Sequence, residues 1–151
     1  MDDAAAHGGD SAADELEIMG VISRMAHYGD QGALEDLLSL FTDDAVLEAG
    51  THPVMQPGPP SAIRRAGRAQ IEASDRARRD AGTIGPGSNT MHSVSTVFVV
   101  LEGATATAHA TWQFFTGLDN VPVLAAVGRY ELTLRRTPEG WKIQRRLTKF
   151  V

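Results

Sequence analysis

From Asn89 to the C-terminus the chain alternates apolar and polar residues in four long runs, 89–101, 104–117, 122–136 and 140–150, parted by "EGA", "LDN" and "TPEG". Period-two alternation bounded by turn residues marks half-buried strands, and runs this close in sequence pair with their neighbours as an antiparallel meander. Such a sheet has an apolar face that must be covered, and the cover has to come from upstream.

Upstream, Leu16, Ile18, Met19, Val21, Ile22 and Met25 recur at three- and four-residue intervals, which predicts a helix from about 12 to 28, ended by Gly29. Ser11 and Asp14 stand near its start with roughly capping-box spacing. Leu34, Leu37, Leu38 and Phe41 predict a second, short helix stopped by "TDD" at 42–44, and "AVLEA" at 45–49 a short strand. The segment 50–66 holds four of the seven prolines and reads as a long loop, of a length that in a compact domain suits a lid over a cavity. Residues 68–81, rich in alanine and arginine around Ile71, predict a surface helix. Residues 1–11 are small and polar and predict a mobile tail, leaving 12–151 as one α+β domain: a curved antiparallel sheet packed on about three helices.

A chain of 151 residues supports a single core, and one site is the most to expect. The absence of cysteine removes disulfides and thiolate chemistry, and no apolar stretch has the length of a membrane span. The acidic N-terminus lacks the features of a signal peptide, which points to a cytoplasmic protein. A net charge of -5 argues against nucleic acid, whose phosphates require a clustered basic face.

Strand alternation sorts the candidate residues. In the run 104–117, Ala106, Ala108, Ala110, Trp112 and Phe114 share the face expected against the helices, whereas His109 sits among threonines on the outer face and reads as structural. In the preceding run His92, Val94, Thr96, Phe98 and Val100 share the face placed inward. A histidine there is either a core residue bonded to backbone or an acid–base group tuned by a carboxylate. Tyr130 points inward with Leu132 and Leu134 on the third run, and Trp141, Ile143, Arg145 and Leu147 do so on the fourth. An inward Arg145 needs a counter-charge, supplied by Asp30, by Glu48 or by a bound anion.

The stretches "YGDQGALEDLLSLFTDDAVLEAG", "GRAQIEA", "ATATAHATWQFF" and "GRYELTLRRTPEGWKIQRR" resemble the SnoaL-like branch of the nuclear transport factor two-like superfamily, over about residues 12–150. That superfamily builds a cone around an apolar pocket and includes scytalone dehydratase, ketosteroid isomerase, polyketide cyclases and subunits without chemistry. The resemblance implies a catalytic pair, His92 as base or acid with Asp30 fixing its tautomer, and neither metal nor cofactor. It implies a lyase or isomerase acting on a hydrophobic, polyketide- or steroid-like molecule. Tyr28, Thr96, Phe98 and Trp112 are the candidate substrate contacts, together with Phe114, Tyr130, Trp141 and Arg145. Two dehydratase tyrosines are replaced here by Gly29 and Ala49, and a common asparagine by Thr96, so Tyr28 and Tyr130 are the remaining hydroxyls. A non-catalytic ligand-binding or dimerisation domain of the same fold is the alternative, and a homodimer is implied under either.

Overall fold

The structure is a computed structural model that describes residues 3–50 and 63–151, with side chains from Asp10 onward. Its elements are α1 (Asp3–Gln31), α2 (Leu34–Leu38), β1 (Phe41–Ala49), β2 (Ile63–Ala66), α3 (Arg68–Asp80), β3 (Met91–Glu102), β4 (Thr105–Thr116), β5 (Val123–Thr137) and β6 (Gly140–Phe150). They form an α+β domain: an open six-stranded sheet in the order β2-β1-β6-β5-β4-β3, with three helices. The strands β3 to β6 make the expected meander, but β1 joins it parallel to β6, carrying β2 antiparallel on its far side. No described helix is long and apolar enough to cross a membrane.

The core lies between the helices and one sheet face. From α1 it takes Ile18, Val21, Ile22 and Met25, a three- and four-residue stripe, while Leu16 and Met19 are exposed. The facing row of Ala106, Ala108 and Ala110 is fully buried, and its small side chains leave room for the large ones that come down from α1. Each aliphatic side chain buried in this way contributes about 1.5–3 kcal/mol.

Several element boundaries differ from expectation. α1 starts at Asp3, inside the segment expected as a tail, and passes through Gly29 to Gln31. Ser11 and Asp14 are therefore interior helix residues. Asp14 instead accepts a hydrogen bond from the Trp141 indole N–H at 3.0 Å and pairs with Arg136, while Glu17 accepts from the Trp141 backbone N–H at 3.0 Å. Phe41 and "TDD" belong to β1 rather than to α2, and β2 occupies the end of the expected loop. Residues 51–62 of that loop, where a lid was expected, lie outside the described residues.

Two bulges reverse the faces that alternation assigns. Between Ser95 and Phe98, β3 uses one residue more than β4, and Thr96 turns to a φ of 54°. An extra residue flips every side chain after it. Val97, Val99 and Leu101 consequently pack against the core, whereas Phe98 (57% exposed) and Val100 (46%) face outward. On β6, Ile143 pairs with Leu134 and Arg145 with Thr133, so Gln144 is the extra residue. Beyond it Arg145 is exposed and Arg146 faces inward, the reverse of the expected order.

At the centre of the sheet Trp112 lies directly over Gly128, where a Cβ atom would come within 2.0 Å of the Lys149 carbonyl and 2.5 Å of the indole. Neither neighbour can yield, because one is ladder backbone and the other is a fully buried ring. The Gly128→Ala variant is expected to lose about 1–3 kcal/mol by overpacking, read as a lower denaturant midpoint with an unchanged slope. A midpoint equal to that of the wild type would show that Trp112 is free to move.

Candidate active site

The last turn of α1 delivers Asp30 to the first residues of β3. Both carboxylate oxygens are used by one residue: the His92 backbone N–H donates to Oδ2 at 2.7 Å, and His92 Nδ1 lies 2.7 Å from Oδ1. The pair is almost dry, with 6% of the Asp30 side chain and 16% of the His92 side chain exposed. A carboxylate only accepts, so Nδ1 carries the hydrogen, and in the neutral ring Nε2 is the nitrogen with the lone pair. The Phe114 ring packs tilted against the imidazole with centroids 4.7 Å apart, which limits its rotation.

A carboxylate at a helix C-terminus opposes the helix dipole, and the last turn of α1 has no basic residue of its own. α3 supplies one. Arg79 donates to the carbonyls of Gly32 at 2.7 Å, Tyr28 at 3.0 Å and Gly29 at 3.4 Å, while Asp75 holds its Nε at 2.9 Å. The guanidinium thus adds charged donors to the carbonyls at the helix end, of which Tyr28 also accepts from the Gly32 backbone N–H.

His92 lines a cavity of about 90 Å³ between the helices and the sheet. Met25, Leu37, Ile71, Val94, Trp112 and Phe150 form its apolar wall, and Arg65, Arg78, Tyr130 and Arg146 its polar one. Asp30 stands behind His92 rather than on the wall itself. Burial pushes the Tyr130 hydroxyl pKa up and the Asp30 carboxylate adds to the rise, against the pull of Arg146 and Arg78. The Arg146 guanidinium lies over the Tyr130 ring, 5.3 Å from its centroid. Among the described residues no group of three or more histidine, aspartate or glutamate side chains is placed to hold a metal ion.

Of the residues singled out in the sequence, His92 and Asp30 meet, Trp112 and Tyr130 reach the cavity wall, and Phe114 backs the imidazole. The others are placed elsewhere. Thr96 sits exposed at the β3 bulge, and Phe98 stacks on His109 across the outer face at 4.6 Å. Trp141 is buried between β6 and the start of the apolar stripe of α1, held by Asp14 and Glu17. Tyr28 packs against the edge of the core, and Arg145 pairs outside with Glu48 at 3.0 Å. The inward cations that alternation missed are Arg65, Arg78 and Arg146. Strand periodicity puts Arg146 outside, and only the bulge at Gln144 brings it in.

Because the chain has two tyrosines, the Tyr28→Phe variant isolates Tyr130 in a spectrophotometric titration. Its midpoint is expected above the ordinary value of about 10. A folded pKa raised in this way contributes stability that is present below about pH 10 and fades as the pH climbs through the folded value. A midpoint at or below the ordinary value would mean that the ring is hydrated.

A family model described as a SnoaL-like domain matches residues 10–147. Among solved structures, an NTF2-like protein with a cystatin-like fold from Novosphingobium aromaticivorans superposes with a TM-score of 0.82 at 25% identity, covering 100% of this chain and 92% of that one. A putative aromatic ring hydroxylase from the same organism gives 0.68 at 26% identity, over 93% and 90%. The β subunit of a putative aromatic-ring-hydroxylating dioxygenase, also from that organism, gives 0.60 at 18%, over 97% and 87%. No curated protein matches the sequence. By its sequence match, and in keeping with its fold, the chain belongs to the SnoaL-like family.

Proposed function

We propose that the protein is a cofactor-independent lyase or isomerase in which His92 and Asp30 form the acid–base pair. The observation that carries this reading is the 2.7 Å contact between His92 Nδ1 and Asp30 Oδ1 at the wall of a cavity with one apolar and one polar side. With Nδ1 committed to the carboxylate, Nε2 is the group that takes a proton from a carbon next to a carbonyl, and Asp30 stabilises the imidazolium that results. Returning the proton to a hydroxyl on the neighbouring carbon releases water and leaves a double bond, which is a lyase. Returning it to another carbon moves the double bond, which is an isomerase. Tyr130, protonated at neutral pH and on the same wall, is the donor for the carbonyl oxygen.

The substrate is a hydrophobic, oxygenated ring of the polyketide or steroid kind. A volume of about 90 Å³ lies below the roughly 300–1,000 Å³ of pockets for drug-sized ligands, so one ring occupies the cavity and any further rings extend through its mouth.

The test is a panel of β-hydroxy cyclic ketones in deuterated buffer, followed by NMR for loss of water or for deuterium entering next to the carbonyl. His92→Ala is expected to slow either reaction by about 10²–10⁴-fold, the usual worth of a positioned base. Asp30→Asn removes the charge that holds the tautomer and is expected to lower kcat more than it changes KM. Turnover that survives His92→Ala unchanged would sink the proposal.

A second reading, a non-catalytic assembly domain, is favoured by the outer face. Phe98, Val100 and Leu124 are exposed there, and a second copy of the chain stacked on that face would cover them. Phe98→Glu is expected to convert a dimer to a monomer in sedimentation measurements while leaving the cavity chemistry in place. A mass that does not change on substitution would remove this surface from any dimer.

A further inference from the structure

Three arginines from three different elements line the cavity: Arg65 on β2, Arg78 on α3 and Arg146 on β6. Each is half-buried. The carboxylates on the same wall are committed elsewhere. Glu48 is held by Arg145 at 3.0 Å and by Arg64 at 3.7 Å, and Asp75 by Arg79 at 2.9 Å. Among the described residues none of the three arginines forms an ion pair, and the segment 51–62, which leads into β2, contains no aspartate or glutamate. Among the described residues Arg146 Nε is buried without a hydrogen-bond partner, and its Nη1 reaches the Met25 sulfur, a weak acceptor, at 3.5 Å.

These cations oppose one another. Burial pushes the Arg65 guanidinium pKa down, and Arg78 and Arg146 push it further; burial also lowers Arg78, where Arg146 adds to the fall, and Asp75 offsets part of it at both groups. Gathering like charges in a partly dry space is unfavourable unless an anion is brought to them. Guanidinium groups suit a planar carboxylate, which each of them can bind through two parallel N–H donors.

We infer that the ligand of this cavity carries an anionic group of carboxylate type, bound by Arg65, Arg78 and Arg146, with its apolar part against Val94, Trp112 and His92. This deepens the reading of the cavity as a small-molecule site and rests on it for the identity of the substrate. The selection of charge is nevertheless independent of catalysis. A space of about 90 Å³ restricts the enclosed part to a single ring or a short chain.

Benzoate and its neutral isostere benzamide are the probes, titrated into the ¹⁵N-labelled full chain and followed through the Trp112 indole and arginine side-chain signals. Benzoate is expected to bind at least tenfold more tightly than benzamide, and its affinity to fall several-fold between 50 and 500 mM sodium chloride, because chloride competes and screens. Arg78→Gln is expected to abolish the preference, and Arg78→Lys to restore part of it. The wild-type comparison stands even where a variant fails to fold. Equal binding of the two probes, no binding of either at 20 mM, or a preference that survives Arg78→Gln in a folded protein would each overturn the inference. The wild type separates the two proposals. Preference for benzoate with no turnover of any ketone defeats the catalytic reading alone. Turnover of neutral ketones together with equal binding of the probes defeats the anion reading alone.

Discussion

A single carboxylate joins the two halves of this fold. Asp30 ends the long first helix, and each of its oxygens receives a hydrogen from His92, one from the backbone and one from the ring. The backbone bond fixes where β3 begins relative to α1, and the ring bond fixes which imidazole nitrogen remains free. The anchoring of the helix and the orientation of the imidazole therefore share the same 2.7 Å contacts, so the ring is no more mobile than the junction of helix and sheet. Buried hydrogen bonds to a charged acceptor contribute about 1.5–3 kcal/mol each, enough to hold a helix end in register against a strand.

That arrangement places negative charge where a helix dipole is already negative, and the fold answers with Arg79. Its guanidinium reaches across from α3 to cap the carbonyls at the end of α1, with Asp75 keeping it in position. The consequence for the cavity is a division of labour among arginines. One neutralises the helix end, Arg64 and Arg145 engage Glu48, and Arg65, Arg78 and Arg146 are left facing the enclosed space.

The sequence is most legible where one strand face is plainly apolar and the other plainly polar. The alanine row of β4 and the Tyr130, Leu132 and Leu134 row of β5 are buried as alternation requires, and His109 lies outside. The meander and the three helices follow from the same periodicities, and the resemblance brings Asp30 and His92 together across 62 residues of sequence. Alternation fails at β3 beyond Ser95 and at β6 beyond Ile143. Both faces of β3 are apolar in that stretch, so hydrophobicity does not report the extra residue, and no turn residue marks it; a threonine takes the positive φ. On β6 the run Arg145-Arg146 looks the same in either register, and the bulge is set by pairing with β5 rather than by local sequence. The parallel placement of β1 next to β6 is likewise a tertiary result, since nothing within β1 names its neighbour.

The bulge at Gln144 has a corollary. Adjacent residues on a regular strand always serve opposite faces, but which of two identical neighbours serves which is a matter of register alone. Here Arg145 belongs to the exterior, tied to Glu48, and Arg146 to the interior, over the Tyr130 ring. Closing the bulge with Gln144 kept in the ladder would exchange the two environments without changing the length or the charge of the chain. Which arginine faces the enclosed space is thus decided by how two strands pair, not by the identity of either residue.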